Sequence, residues 1–350
     1  MTATRRHSVV PPYLLRAVAA ASEHPRAASA ARTALAEMDV VTAPKHEHRV
    51  RPQGISGSVD RSPQRTVADA RGTTTLPGTV VRREGDPDSG DAAVDEAYAG
   101  LGATHAFWLD VFGRVSIDGA GLPLDATVHY GQDYDNAYWD GRRMVFGDGD
   151  DEVFRRFTVA LDVIGHELAH GVTQYTADLT YQGQSGALNE SVSDVFGSLV
   201  AQYAAGQTAD QATWLIGEGL FTDAVHGVAL RSMRAPGTAY DDPVLGKDPQ
   251  PATMADYVET TEDSGGVHLN SGIPNHAFFL AATTIGGYAW EGAGAVWWDA
   301  LTSPETTEDI DFAGFARVTV DAAAARFGQG STEHAAVEDA WRSVGVLTGP

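Results

Sequence analysis

The chain has 350 residues, 43% of them hydrophobic, a formal net charge of −23 and no cysteine. This length allows about two domains or lobes with a substantial core, and the acidic balance argues against nucleic acid and anionic membrane as partners. The lack of cysteine excludes disulfides, thiolate metal sites and thiol catalysis, but a chain of this size needs no disulfide, so its compartment stays open.

The N-terminal part of the chain divides into two stretches of different composition. Residues 1–40 are rich in alanine and weakly helical, and their apolar run is broken by two prolines and an arginine, which makes a poor signal peptide. Residues 41–66 are basic and polar, with frequent proline, glycine and serine, as is typical of an exposed linker that proteases cut. We therefore place a boundary near residue 50.

The next stretch, residues 67–150, contains short strand-like pieces separated by glycine, aspartate and proline. This pattern is typical of antiparallel β structure with tight turns. The strand-like pieces are residues 79–84, 115–119, 126–130 and 143–150. Between the first two of them, residues 91–110 predict a helix.

Helical patterns dominate the rest of the chain. From residue 150 to residue 175, apolar side chains recur at spacings of three and four, which predicts one long amphipathic helix. Further helices are predicted over 187–205, 210–222, 272–285, 311–327 and 332–344. The sequence thus predicts an α+β fold, in which a β-rich N-terminal lobe is joined through the long helix to an α-helical lobe.

One apolar stretch, residues 277–298, has the length of a membrane span. Glycines interrupt it at four positions, in its middle and second half. We therefore predict a buried helix, a turn and a second buried segment rather than a membrane helix.

The long helix carries the motif His-Glu-Leu-Ala-His, with His166 and His170 four residues apart. Side chains at these positions project from the same face of a helix, so both imidazoles can bind one Zn²⁺. Glu167 lies beside that position, from which it can take a proton from the attacking water. The alternative is a helix with two surface histidines.

Two later segments could complete such a zinc site. Glu190 and Asp194 lie four residues apart on a second predicted helix, so that Glu190 can supply a third ligand and Asp194 can accept a hydrogen bond from a ligating histidine. His268 follows two adjacent glycines and is a candidate donor to an oxyanion. The alternatives are two solvated acids on an amphipathic helix and a structural histidine.

Together these residues resemble a known family, the thermolysin-like neutral zinc metallopeptidases. The matching motifs are HELAH, GALNESVSDVFG and GGVHLNSGI, with Asn136–Trp139 and Leu230–Met233 similar to the family's substrate-binding segments. The resemblance covers residues 60–348. It implies a two-lobed fold with a zinc cleft between the lobes. The segment Pro11–Leu15 resembles the short propeptide of the protealysin-type branch.

The resemblance implies a role for each matched residue. The implied zinc ligands are His166, His170 and Glu190. The implied catalytic residues are Glu167 as general base, His268 and Tyr181 as donors to the oxyanion, and Asp263, which orients His268. The implied substrate-binding residues are Asn136, Ala137 and Arg231, and Asp194 steadies His166. The implied apolar pocket, which favours a large apolar residue just after the scissile bond, is lined by Phe154, Phe157, Val163, Ile216, Leu220 and Leu230.

The sequence departs from the family at its calcium sites. Acidic positions of calcium-rich relatives are occupied here by Ala201, Thr213, Leu215 and Val228. Asp162 and Glu218 remain, but two carboxylates are few for an ion that prefers six to eight oxygen ligands. We therefore predict a weakened or missing double-calcium site.

The favoured interpretation is a secreted zinc endopeptidase made as a self-processing zymogen, although accumulation in the cytoplasm stays open because no clear signal peptide is visible. The predicted units are a propeptide at 1–50, a β-rich lobe at 51–176 and an α-helical lobe at 177–350. The predicted partners are protein or peptide substrates and the chain's own propeptide as an intramolecular inhibitor. Candidate self-cleavage sites are Arg49–Val50 and Gly54–Ile55. The alternatives are a non-catalytic zinc-binding interaction protein and an exopeptidase on the same zinc site.

Overall fold

The computed structural model describes residues 7–38 and 60–348 of the chain. These residues form a β-rich N-terminal lobe and an α-helical C-terminal lobe, as the sequence predicts. Both candidate cleavage sites, Arg49–Val50 and Gly54–Ile55, lie outside the described residues. The domain boundaries near residues 50 and 176 stay predictions.

The N-terminal lobe is built on a six-stranded mixed sheet. Its strands are β1 (His7–Ser8), β2 (Arg65–Asp69), β3 (Thr79–Arg83), β4 (Leu124–Val128), β5 (Ala137–Trp139) and β6 (Arg143–Phe146). Their order is β1-β5-β6-β4-β2-β3, and β4 runs parallel to both of its neighbours. The prediction of antiparallel structure is thus wrong at β4. The chain between β2 and β4 contains the long helix over residues 92–112, and a crossover of this length allows parallel pairing.

Ten α-helices accompany the sheet in the described part of the chain. They are α1 (Pro12–Ala20), α2 (Pro25–Met38), α3 (Ala92–Phe112), α4 (Leu161–Gln174), α5 (Gly183–Ala205), α6 (Asp263–Asn270), α7 (Gly272–Ile285), α8 (Ala293–Thr302), α9 (Phe312–Phe327) and α10 (Thr332–Ser343). The predicted helices over 91–110, 187–205, 272–285, 311–327 and 332–344 correspond to α3, α5, α7, α9 and α10. Their apolar faces pack into one continuous hydrophobic core.

Two predicted elements differ from the structure, each for a local reason. The piece 115–119 is a turn, in which the Asp118 carboxylate accepts the N–H groups of Ala120 and Leu122. The long helix begins only at Leu161, because the Asp150 carboxylate accepts three successive N–H groups and holds the chain in a turn.

The predicted helix over 210–222 is absent for a different reason. This stretch instead contains strand β7 (Leu215–Ile216), which pairs antiparallel with β8 (Arg231–Ser232). Gly217 and Gly219 adopt positive φ angles of 75° and 85°, which a right-handed helix does not allow. The apolar spacing seen in the sequence reflects burial of single side chains rather than a helical face.

The apolar stretch 277–298 folds as predicted. Helix α7 ends at Ile285, a glycine-containing turn follows, and α8 begins at Ala293. No helix among the described residues is long and apolar enough to cross a membrane.

Residues 7–38, which we call the covering segment, lie against the remainder of the protein. Strand β1 adds to the edge of the sheet beside β5, and α1 buries Leu14, Leu15 and Val18 in the common core. Two ion pairs flank this contact, from Arg16 to Glu262 at 2.9 Å and from Arg26 to Asp133 at 2.7 Å. The covering segment is thus packed into the fold.

His129 fastens helix α3 to the sheet lobe. Its Nδ1 atom lies 2.9 Å from the Asp148 carboxylate and its Nε2 atom 3.2 Å from Asp91, which caps the N-terminus of α3. The hydrogen bond to Asp148 outweighs partial burial, and with the Asp91 charge it raises the pKa of His129 to about 9.

We expect the contacts of His129 with Asp148 and Asp91 to stabilise the fold in a pH-dependent way. Because the folded pKa lies above the unfolded value of about 6.5, the stabilisation is complete below that pH and is lost as the pH rises through about 9. His129→Asn, which tolerates the positive φ at this position, should lower Tm by about 2 °C near pH 6 and by less near pH 10. Thermal melts at both pH values test this, and an equal loss at both would contradict it.

Candidate active site

Helices α4 and α5 bring the three predicted zinc ligands together. The Nε2 atoms of His166 and His170 are 3.1 Å apart, and each lies 3.5 Å from an oxygen of Glu190. The two helices approach closely at Gly197, where an added Cβ would lie 2.4 Å from the carbonyl oxygen of Asp162. A glycine at this position therefore lets Glu190 reach the two histidines.

The three side chains fit a zinc ion. Their candidate ligand atoms all lie within 4.8 Å of one another, and all three side chains are buried. The Oε2 atom of Glu190 has no hydrogen-bond partner within the described part of the chain, although it is buried. Two imidazoles and one carboxylate form a donor set found in catalytic zinc sites, where the fourth position stays open for water or substrate.

The far nitrogen of each histidine has its own partner. His166 Nδ1 lies 2.8 Å from the Asp194 carboxylate, as predicted, and His170 Nδ1 lies 2.8 Å from the side-chain oxygen of Asn189. Such contacts fix the imidazole so that Nε2 points to the metal. The role of Asn189 was not predicted from the sequence, although its place directly before Glu190 was a usable signal.

Glu167 lies where the sequence predicts, next to the ligand positions and fully buried. Its Oε2 atom accepts the backbone N–H of Trp139 at 2.9 Å, which ties the carboxylate to strand β5. Burial and the nearby Glu190 carboxylate raise the pKa of Glu167 well above its ordinary value. A raised pKa suits a group that must take up a proton and then release it.

His268 and Tyr181 lie next to the third predicted ligand, Glu190, and His268 Nε2 is 3.6 Å from its Oε2 atom. The Tyr181 hydroxyl donates to Glu190 and lies 3.3 Å from His268 Nε2. Asp263 contacts His268 Nδ1 at 2.7 Å and accepts its backbone N–H at 2.9 Å. Burial alone would lower the pKa of His268, but Asp263 and Glu190 outweigh burial and raise it to about 9.

The backbone before His268 explains its two glycines. Residues 263–266 all have positive φ angles, from 49° to 84°, so the chain makes a left-handed turn. An added Cβ at Gly265 would lie 3.0 Å from the backbone nitrogen of Gly183, which leaves no room for a side chain. This turn places Asp263 against the imidazole that it contacts.

Arg231 and Asp194 form a buried, bidentate ion pair behind His166. The two bonds measure 2.8 and 2.7 Å, and Asn275 donates a further bond of 2.8 Å to the same carboxylate. Burial opposes ionisation, but Arg231 and His166 hold the pKa of Asp194 well below its usual range. The contact of Asn275 could not be predicted from the sequence, because no local spacing connects Asn275 to Asp194.

The covering segment runs through this site as an extended strand. Val9 N–H donates to the Ala137 carbonyl at 3.2 Å, and Val10 N–H donates to the Asn136 side chain at 3.1 Å. Arg231 donates to the Val9 carbonyl at 2.9 Å. The three predicted substrate-binding residues are thus brought together on one extended peptide of the same chain.

The six apolar residues expected to line a specificity pocket are all fully buried. They are Phe154, Phe157, Val163, Ile216, Leu220 and Leu230. Burial alone fits both a pocket wall and plain core, so their role in specificity stays a prediction.

The two remaining calcium-site acids lie in different environments. Asp162 is buried and accepts the N–H groups of Gly217 and Val163 at 2.7 and 2.9 Å, whereas Glu218 is exposed. Burial raises the pKa of Asp162 to about 6.

Because backbone donors already satisfy Asp162, we expect little response to calcium. Titration of micromolar calcium into the purified protein should change Tm by less than about 2 °C. Thermal melts against calcium concentration, with magnesium as the control, measure this change. A large rise that is specific to calcium would contradict the prediction.

Comparison with known proteins identifies the same family over both lobes. Residues 58–174 match the family model described as thermolysin metallopeptidase, catalytic domain, and residues 177–346 match thermolysin metallopeptidase, alpha-helical domain. The two matches together cover more than half of the chain.

Individual relatives agree with these matches. The chain is 51% identical over 339 residues to an extracellular metalloprotease of Pectobacterium carotovorum subsp. carotovorum, covering 97% of this chain and 96% of that protein. It is 39% identical to a thermolysin of Alicyclobacillus acidocaldarius subsp. acidocaldarius, covering 79% of this chain and 50% of that one. The solved precursor of protealysin, a metalloproteinase from Serratia proteamaculans, matches with a TM-score of 0.89 and 52% identity, covering 97% and 100%.

These matches and the His-His-Glu cluster confirm the predicted fold, metal and class of enzyme, and they do not favour a non-catalytic zinc-binding protein. The chain belongs to the thermolysin family of zinc metalloendopeptidases.

Proposed function

We propose that the chain is an endopeptidase zymogen whose covering segment occupies the substrate cleft until it is removed. The observation that carries this proposal is the extended path of residues 8–10 along β5, held by Ala137, Asn136 and Arg231. Addition of an extended peptide to a sheet edge is a general way in which proteins bind peptides. A substrate bound in the same place would reach the zinc ligands.

The chemistry we propose assigns one task to each buried group. When bound to His166, His170 and Glu190, zinc supplies Lewis acidity to the scissile carbonyl group. Glu167 takes a proton from the attacking water and passes it to the leaving amide nitrogen, which its raised pKa supports.

The remaining groups stabilise charge and hold the peptide. His268 and Tyr181 donate to the oxygen that becomes negative, and Asp263 keeps His268 oriented through two bonds. Asn136, Ala137 and Arg231 hold the peptide main chain. Val9, whose carbonyl accepts from Arg231, is fully buried, and so are the six apolar residues of the predicted pocket. This burial supports a preference for an apolar residue just after the cut.

Inhibition by the covering segment can be tested on the uncut chain. Leu14→Asp would place a charge in the buried face of α1, so the segment should leave the cleft and activity toward a small peptide should rise by at least about tenfold. Glu23→Gln, an exposed change in the turn between α1 and α2, is the matched control. An unchanged rate in the Leu14 variant would contradict the proposal.

N-terminal sequencing of the mature protein tests the self-processing that we infer. We expect a new terminus at Val50 or Ile55, which would place an apolar residue after the cut. A mature terminus upstream of Thr42 would contradict this placement.

We also infer export from the cell, because the similar protein of Pectobacterium carotovorum is named extracellular. Assay of culture medium and cell lysate tests this inference.

A further inference from the structure

The strand in the cleft has the direction and register of a peptide placed for cleavage. β1 runs antiparallel to β5, with His7 opposite Trp139 and Ser8 opposite Tyr138. Val9 N–H then donates to the Ala137 carbonyl, and no side chain supplies this contact. The main-chain pairing with β5, together with the side chains of Asn136 and Arg231, therefore fixes which peptide bond lies nearest to the catalytic groups.

The carbonyl groups of the strand identify that bond. The Ser8 carbonyl oxygen lies 3.1 Å from His268 Nε2, the proposed oxyanion donor. The next carbonyl, of Val9, accepts from Arg231 at 2.9 Å, and the Val10 carbonyl faces the Asn136 amide at 3.5 Å. The bond between Ser8 and Val9 thus lies between the oxyanion donor and the groups that hold the peptide beyond the cut.

We propose that the covering segment is itself a substrate, cut slowly between Ser8 and Val9, and that the cut chain stays inhibited. This inference rests on the proposed function of the same site. Water adds to the carbonyl carbon of Ser8, the C–N bond to Val9 breaks, and Glu167 passes the two protons of the water in turn to the Val9 nitrogen. The products are a carboxylate at Ser8 and a protonated amino group at Val9.

The part of the segment that follows the cut has its own anchors. Val9 and Val10 are fully buried, and Leu14, Leu15 and Val18 bury the apolar face of α1. These contacts lie on the same continuous piece as the new N-terminus, and the chain still connects this piece to the catalytic lobes. This covalent connection keeps the effective concentration of the segment at the cleft high, so the new N-terminus remains in the cleft.

What leaves is only the short piece that ends at Ser8. The described residues of this piece, His7 and Ser8, are held by the two residue pairs of β1 and by the contact of the Ser8 carbonyl with His268. Activation therefore requires a separate cut in the linker, because only that cut breaks the covalent connection. The zymogen should pass through an inactive form that begins at Val9.

The experiment follows the full-length chain after purification with zinc. Intact mass and N-terminal sequencing report the termini, while casein digestion and hydrolysis of a small peptide report activity in the same samples. We expect a form beginning at Val9 that appears before the linker is cut, at a rate constant that does not change on dilution. Its activity should stay within about twofold of the uncut chain.

Two variants sharpen the result. Glu167→Gln should abolish the Val9 terminus, which shows that the enzyme itself makes the cut. Val9→Asp should slow formation of this terminus at least about tenfold, because it puts a charge into the apolar position, whereas Glu23→Gln, an exposed change in the same segment, should leave the rate within about twofold.

Each outcome separates this inference from the proposed function. Casein digestion without any chain beginning at Val9 would overturn the inference and leave the proposed function intact. Activity that rises in step with the Val9 terminus would overturn the inference that the cut segment stays in the cleft and keeps the chain inhibited. A chain that digests no casein after the linker is cut would instead contradict the proposed function.

Discussion

Glu167→Gln is expected to lower kcat/KM for peptide hydrolysis by about 100- to 10,000-fold while zinc stays bound. Glutamine keeps the shape of the side chain and can still accept the N–H of Trp139, so the site should keep its structure. It cannot take up a proton from water, so the variant lacks the proposed general base. Steady-state kinetics on the mature enzyme, with a zinc count on the same sample, measure both effects.

The matched control is His170→Ala, which removes a ligand instead of the base. This variant should lose zinc and activity together, whereas the glutamine variant should lose activity alone. Full activity in Glu167→Gln would contradict the assigned mechanism. A substrate blocked at both termini excludes the exopeptidase alternative if the wild-type enzyme cuts it, because an exopeptidase needs a free terminus.

The zinc ligands could be predicted because the information is local in the sequence. His166 and His170 lie one helical turn apart, and Glu190 lies in a motif of its own on the next helix. The positions of these residues on their helices follow from spacing alone. The distance between the two helices cannot be derived from spacing, because it depends on the close contact of Gly197 with the backbone of α4.

Contacts between distant elements could not be predicted in the same way. Asn275 reaches Asp194 from α7, 81 residues along the chain, and no periodicity connects them. The parallel pairing of β4 likewise depends on the path of the whole lobe. The resemblance predicts inhibition by the N-terminal stretch. The position of the Ser8 carbonyl next to His268 is visible only in the three-dimensional structure, because 260 residues separate the two.

Arg231 contacts both the inhibitory strand and the zinc site. It donates to the Val9 carbonyl of the strand in the cleft and to the Asp194 carboxylate behind His166. Three of its nitrogens take part, two on Asp194 and one on the Val9 carbonyl. Both members of the ion pair are almost completely buried. Removing the charge of Arg231 therefore leaves the Asp194 carboxylate in an apolar interior, with only the Asn275 amide and the His166 imidazole as partners.

Arg231→Met is accordingly expected to lower the free energy of unfolding by about 3–5 kcal/mol and to weaken zinc binding. The double variant Arg231→Met with Asp194→Leu removes both charges, so it should recover most of that stability. It should not recover zinc affinity, because His166 has then lost the partner of its Nδ1 atom. Urea titration and competition for zinc with a chelator measure the two quantities separately. A single variant as stable as the wild type would show that Asp194 finds another partner, and equal zinc affinity in all three proteins would show that Asp194 does not position His166.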